Sequence, residues 1–110
     1  MAFDDELAGR VRQVLAEEPV VVEQRMFGGL AFMVDGHMAC GIVGDQLMIR
    51  LGKDGVERAL TETHVRPMDF TGRPLHSMAF VSAEGVRDDA ALAAWIDRTI
   101  AFVRTLPPKP

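Results

Sequence analysis

The sequence contains few side chains that could bind a metal ion, and their spacing does not favour a shared site. His37 and Cys40 form an H-x-x-C pair, and both residue types are common metal ligands. On a β-strand, residues three apart point to opposite faces, so these two would not hold one ion. His64 and His76 stand alone in loop-like stretches, and no second cysteine completes a zinc set. We therefore predict no metal site and no cofactor, with His37 at the surface and Cys40 in the core.

The residues that could act in covalent or acid–base catalysis are equally dispersed. A cysteine nucleophile needs a neighbouring imidazole and positive surroundings that lower its pKa, whereas Cys40 lies in an apolar segment. Ser77 and Ser82 lie in no G-x-S-x-G motif. Asp69 is the most prominent carboxylate because arginines flank it, and the pattern favours an ion pair over a general acid. We predict no catalytic residue and no enzymatic activity.

A glycine pair offers a third kind of chemistry, the binding of an anion. Gly28 and Gly29 follow Arg25 and Phe27, but the spacing is not G-x-G-x-x-G and no Walker-type lysine follows. The pair indicates either a tight bend at the entry to a sheet or a backbone nest for an anion, supported by Arg25. The second interpretation gives the alternative function. A small anionic ligand would be bound by Arg25, by the glycine backbone and by Arg73.

Length and composition indicate one acidic globular domain. The chain has 110 residues, a formal net charge of −4, 48% apolar residues and 25% charged residues. Single domains typically have about 100–150 residues, so we expect one domain over residues 1–106 and a proline-rich tail over 107–110. The acidic balance argues against direct binding of nucleic acid, which requires a basic surface.

The sequence also bears on the compartment. No apolar run approaches the roughly 20 residues of a membrane helix, and the acidic start does not resemble a signal peptide. A single cysteine excludes an internal disulfide framework and fits a reducing interior. We predict a cytoplasmic protein with no membrane partner.

Hydrophobic periodicity and turn residues predict an α+β domain. Its elements, in the order α-βββ-α-ββ-α, are a helix over 4–17, strands over 29–34, 37–43 and 46–51, a short helix over 54–61, extended segments over 65–70 and 77–83, and a helix to about Thr105. Asp35-Gly36 and Gly44-Asp45 suit two-residue hairpin turns. We expect an antiparallel sheet of about five strands, a three-stranded meander plus a hairpin, with the helices packed on one face.

The predicted turns also fix a register for the meander. Ala31 would lie opposite Cys40, and Cys40 opposite Ile49, on an apolar face that packs against the helices. The other face is half apolar and half polar, as expected of a surface available to a partner. Its members include Leu30, Phe32, Met48 and Arg50.

Three consecutive parts of the sequence resemble the TfoX N-terminal domain, the first half of the bacterial TfoX/Sxy competence regulators. They are Arg25-Met26-Phe27-Gly28-Gly29-Leu30, the hairpin to Met38, and Leu47-Met48-Ile49-Arg50. The stretches 66–74 and 77–81, the helix with Leu92 and Trp95, and the tail 106–109 are similar to the rest of that domain and of its stand-alone members. In the full-length regulators of this family a helical domain follows, and those regulators support competence-gene expression together with cyclic-AMP receptor protein. The resemblance implies no catalytic residues, and we expect a stand-alone member.

These observations lead to a functional prediction. We expect a non-enzymatic regulatory or protein-interaction module that self-associates. Its partner would be a second copy of the chain, in a homodimer, or another protein. The residues expected to bind a partner or ligand are Arg25, Phe27, Gly28, Gly29, Leu30, Phe32, Met48, Arg50, Asp69 and Arg73.

Overall fold

The computed structural model describes residues 3–26, 28–70 and 73–107. Across these residues the chain forms three α-helices, six β-strands and two short 3₁₀ turns, Leu15–Glu17 and Ala83–Val86. The helices are α1 (Asp5–Val14), α2 (Gly52–Ala59) and α3 (Asp89–Val103). The strands are β1 (Val21–Met26), β2 (Gly29–Val34), β3 (His37–Val43), β4 (Gln46–Arg50), β5 (Val65–Phe70) and β6 (Arg73–Val81).

The six strands form one antiparallel sheet in the order β1-β2-β3-β4-β6-β5. The α+β prediction is confirmed, with β1 as the strand beyond the five expected. Asp35 and Gly36 both have positive φ, 54° and 83°, as a type I′ turn requires. Gly44, with φ of 61°, begins the second predicted turn, which joins β3 to β4.

One predicted pairing in the meander is wrong. Cys40 lies opposite Phe32 rather than Ala31, because the register shifts between Phe32 and Met33 and leaves Ala39 as an extra residue on β3. A one-residue bulge moves each following side chain to the other face of the sheet. Leu30 and Phe32 therefore lie on the face beneath the helices, not on the second face where we expected them.

All three helices pack on that single face, as predicted. One buried cluster joins residues of α1, α2 and α3 to the inward side chains of the strands. From the strands it includes Leu30, Phe32, Val34, Cys40, Ile42, Leu47, Ile49, Ala79 and Val81. Asp4 caps α1, because its Oδ1 accepts hydrogen bonds from the N–H groups of Glu6 and Leu7 at 2.9 and 3.2 Å.

The Thr99 side chain joins α3 to the sheet at the bulge. Its hydroxyl is fully buried, accepts a hydrogen bond from the Arg50 N–H at 2.9 Å and lies 2.7 Å from the Ala39 carbonyl oxygen. The Arg50 carbonyl oxygen is also within hydrogen-bond distance of this hydroxyl. The β3–β4 pairing ends at Cys40 and Ile49, so the Thr99 hydroxyl provides a partner for backbone groups of Ala39 and Arg50 just beyond its end.

Candidate interaction surface

The sheet face opposite the helices, which we call the open face, is lined with methionines. Alternation along the strands places Met33, Met38 and Met48 on it, together with Met78 and Phe80 of β6. Met48, Met68, Met78 and Phe80 form a second buried cluster, separate from the helix-covered core. Of the methionines on this face, Met26, Met33 and Met38 are only half-buried, and because methionine is flexible and polarizable, these three can adapt to a partner.

Arg66 covers part of this second cluster. Its guanidinium carbon lies 4.5 Å from the centre of the Phe80 ring, and its Nε donates a hydrogen bond of 2.9 Å to Gln46. The β4–β6 side of the open face is thus closed by a charged side chain that stacks on an aromatic ring. The accessible part of the face lies at the opposite end, on β1 to β3.

That end of the sheet carries exposed apolar side chains. Val20 and Val22 are 53% and 55% exposed, and they are two of the three large hydrophobic residues that are exposed in the described part of the chain. Met26, Met33 and Met38 beside them are half-buried. Exposed valines in and next to a strand at the edge of a sheet are typical of a surface that contacts another molecule.

Strand β1 itself is an edge. Within the described ranges it pairs with β2 on one side only, and its residues Val22 to Arg25 are all exposed. The Asp35 N–H donates to the Val20 carbonyl oxygen at 3.3 Å, so the backbone groups of Val22 and Gln24 also point toward β2. The N–H and C=O groups of the alternate residues in β1 therefore point away from the sheet.

Two charged residues of β1 point to the helix side of this edge. Glu23 accepts two hydrogen bonds of 2.7 Å from Arg12 of α1, and these hydrogen bonds lower the pKa of the Glu23 carboxyl and raise that of the Arg12 guanidinium. Arg25 lies with its guanidinium carbon 5.7 Å from the centre of the Phe3 ring. The edge thus presents one negative and one positive side chain, two residues apart on the same face.

The structure places the other expected binding residues in different parts of the sheet. Met48 lies on the open face of β4, whereas the Arg50 side chain reaches toward α3. The Arg50 guanidinium donates to the Met38 carbonyl oxygen at 3.3 Å and lies 5.9 Å from the Phe102 ring centre. Gly28, with φ of 72°, lies in the β1–β2 turn, and Gly29 begins β2 opposite Met26. The tight bend expected of this glycine pair is therefore present.

The proposed anion ligands are not neighbours in the sheet. Arg25 lies on β1 and Arg73 on β6, with β2, β3 and β4 between them, which corresponds to roughly 19 Å across the strands. Asp69 of β5 pairs with Pro74 in the β5–β6 hairpin, and the side chains of Asp69 and Arg73 lie outside the described residues, as does Phe27. The arrangement brings Arg25 and the two glycines to one edge and Asp69 and Arg73 to the other side of the sheet.

A comparison with known families agrees with the resemblance seen in the sequence. A family model described as the TfoX N-terminal domain matches residues 13–103. The chain belongs to the TfoX N-terminal domain family. No curated protein matches it at a significant level. The matched range begins within α1 and ends at the last residue of α3, so this TfoX N-terminal domain includes the whole sheet.

The thiol of this TfoX N-terminal domain is buried as predicted. Cys40 is fully enclosed on the helix-covered face, and burial raises its pKa to about 12, which keeps it a neutral thiol at neutral pH. We expected His37 at the surface, but it is buried. It is only 9% exposed, and its Nε2 lies 2.7 Å from the Pro107 carbonyl oxygen. His37 pairs with Val34, and the bulge places both on the helix-covered face together with Cys40.

The described part of this TfoX N-terminal domain contains no group of three His, Cys, Asp or Glu side chains that could hold a metal ion. Within the same ranges, no helix has the length and apolar composition needed to span a bilayer.

Two features of the candidate surface in this TfoX N-terminal domain were not predicted from its sequence. The first is β1, although the run Val20-Val21-Val22 is β-branched and favours a strand. The second is the contribution of Val22 and Gln24 to the accessible surface, which follows only once β1 is placed at the edge. The β-branched run after Pro19 is a signal for the strand but not for its position at the edge of the sheet.

Proposed function

We propose that this TfoX N-terminal domain is a non-enzymatic regulatory module that acts through protein–protein contacts and self-associates as a homodimer. The observation that carries the proposal is the exposed surface around β1, where an edge strand adjoins apolar side chains of the open face. The family match supports a regulatory role. The single, reduced cysteine fits the cytoplasm, where we propose that the protein acts.

The absence of catalysis in this proposal rests on the surroundings of the reactive groups. The thiol is enclosed in the core, and burial raises its pKa, which disfavours the thiolate that a cysteine nucleophile requires. The ion pairs of Arg12 with Glu23, Arg98 with Glu62 and Arg104 with Glu18 lie at the surface and join separate elements. Such pairs are typical of a structural role.

Sedimentation velocity at a series of protein concentrations tests the self-association. We expect a dimer whose population rises with concentration, with a Kd of about the micromolar range, since an interface formed around one strand is small. A protein that stays monomeric up to about 1 mM would contradict the proposal, because even an association free energy of about −4 kcal/mol would be visible there.

Two lysine variants locate the surface. Val22→Lys places a charge next to the β1 edge and should weaken the dimer at least about tenfold, because lysine on an edge strand opposes strand pairing and the burial of the open face. Leu60→Lys is the matched control, since Leu60 is the third exposed large hydrophobic residue in the described part and is 39% exposed. An equal effect of both variants would contradict a contact around β1.

A further inference from the structure

Strand β1 is less protected against strand pairing than the other edge of the sheet. Strand β5 contains Pro67, which has no N–H, and its register with β6 shifts between Pro67 and Met68. Proline and a bulge are two devices that prevent an edge from pairing with another chain. Strand β1, Val21–Met26, contains no proline, and it pairs with β2 over six residues without a register shift. Of the two edges, β1 is thus the one that can accept a further strand.

The outward backbone groups limit how a second copy of β1 can pair. The N–H and C=O groups of Val21, Glu23 and Arg25 point away from the sheet, so an added antiparallel strand must place its own outward residues opposite these three. Because outward residues alternate along β1, two copies can place them opposite each other only when the two-fold axis passes through a residue and not between two residues. The candidates for that residue within the strand are Val22, Glu23, Gln24 and Arg25.

Charge distinguishes between these four registers. With the axis at Glu23 or at Arg25, that residue meets its own copy, and like charges directly opposite each other are destabilising. With the axis at Val22, Glu23 meets only Val21. With the axis at Gln24, Glu23 lies opposite Arg25 of the second copy, and the symmetry forms this pair twice. This register alone gives opposite charges across the interface.

Two further contacts agree with the register centred on Gln24. Val22, which is 55% exposed, lies opposite Met26 of the second copy on the open face, so each copy covers the other's exposed valine. On the helix side, the Glu23 carboxylate already accepts from Arg12 and still has lone pairs for Arg25 of the second copy. The Gln24 side chains meet each other at the axis.

We propose that two copies of the chain pair antiparallel along β1, with the two-fold axis at Gln24, into one continuous twelve-stranded sheet. This inference rests on the proposed self-association and adds its geometry and register. Glu23 and Arg25 form reciprocal interchain ion pairs. The methionine-lined open faces of the two copies then lie on the same side of the joined sheet.

A disulfide test reports on this register directly. In the proposed pair the two Gln24 residues form a non-hydrogen-bonded antiparallel pair, with Cα atoms about 4.5 Å apart, inside the range that a disulfide spans. Gln24→Cys should therefore form an interchain disulfide under mild oxidation. The native Cys40 does not interfere, because it is fully buried with a pKa of about 12. Unreacted thiols are alkylated before non-reducing electrophoresis.

Val22→Cys is the matched control. The two Val22 residues would lie four positions apart along the paired strands, roughly 13 Å, so this variant should crosslink at least about tenfold more slowly than Gln24→Cys. An equimolar mixture of Val22→Cys with Met26→Cys should crosslink quickly, because these positions face each other. All three positions belong to an edge strand, and Gln24 and Val22 are exposed, so the fold tolerates the substitutions.

The outcomes separate this inference from the proposed function. Fast crosslinking of Gln24→Cys, with slow crosslinking of Val22→Cys alone, supports pairing centred on Gln24. A protein that sediments as a dimer but crosslinks no faster through Gln24→Cys than through Val22→Cys overturns this pairing and leaves self-association intact. A protein that is monomeric in sedimentation overturns both.

Discussion

Replacing Gly29 by alanine should lower the free energy of unfolding by about 3 kcal/mol or more. A Cβ atom at this position would lie 2.1 Å from the Ile42 carbonyl oxygen and 3.1 Å from the Ile42 carbonyl carbon. Both are backbone atoms of the adjacent strand β3, so the clash is relieved only if β2 and β3 move apart. Since domains are stable by only about 5–15 kcal/mol, the loss should be evident in urea unfolding.

The matched control is Gly9→Ala. Gly9 lies inside α1, and a Cβ atom there would meet nothing within 4 Å. Alanine is favoured over glycine in a helix interior by about 0.5–1 kcal/mol, so this variant should be more stable than the parent protein. The same Gly→Ala substitution is thus expected to have opposite signs at the two sites. Equal effects would show that the close approach of β2 to β3 is not as described.

Thr99→Val should lower the free energy of unfolding by about 2 kcal/mol or more. Valine has nearly the shape of threonine, so the substitution leaves the packing of α3 in place and removes the hydroxyl. The Arg50 N–H and the Ala39 carbonyl oxygen then lose their buried partner. Urea unfolding of the variant and the parent protein gives the difference.

Two variants test whether the hydroxyl at the bulge is responsible. Thr99→Ser keeps the hydroxyl and should retain more stability than Thr99→Val. Thr105→Val removes a hydroxyl that donates only to the Phe102 carbonyl oxygen at the exposed end of α3, and its effect should stay within about 0.5 kcal/mol. A larger loss from Thr99→Ser than from Thr99→Val would assign the stability to the methyl group instead.

The parts of the fold that follow from local chemistry were predictable from the sequence. The Asp35-Gly36 turn is specified by residues that accept positive φ, and it fixes the pairing of Met33 with Met38 next to it. The helices α1 and α3 were predicted from their hydrophobic periodicity, and each buries one side against the core. These features depend on a few neighbouring residues, so one sequence is sufficient to predict them.

The bulge in β3 was not predictable in the same way. It places Ala39 and Cys40 consecutively on the helix-covered face, where the Ala39 carbonyl oxygen contacts the Thr99 hydroxyl of a helix some 60 residues later in the chain. Such a long-range contact leaves no local pattern in β3. The error in register put Leu30 and Phe32 on the wrong face, and thereby misassigned part of the candidate surface.

The candidate surface itself was predicted only in part. Met48 lies on the open face as expected, since the well-defined second turn separates it from the bulge. The Arg50 guanidinium instead lies beside Phe102 of α3. The edge was missed because the β-branched run after Pro19 was not assigned to a strand. Strand β1 supplies the exposed Val22 and Gln24 and the charged pair Glu23 and Arg25, on which the proposed dimer depends.

Amide hydrogen exchange, measured by NMR below and above the dimer's Kd, tests the central claim most directly. In β1 the amides of Val22 and Gln24 point toward β2, so we expect them to be protected at both concentrations. The amides of Glu23 and Arg25 point outward and should exchange quickly in the monomer and become protected in the dimer. Fast exchange of the Glu23 and Arg25 amides at every concentration would contradict pairing of two copies along β1.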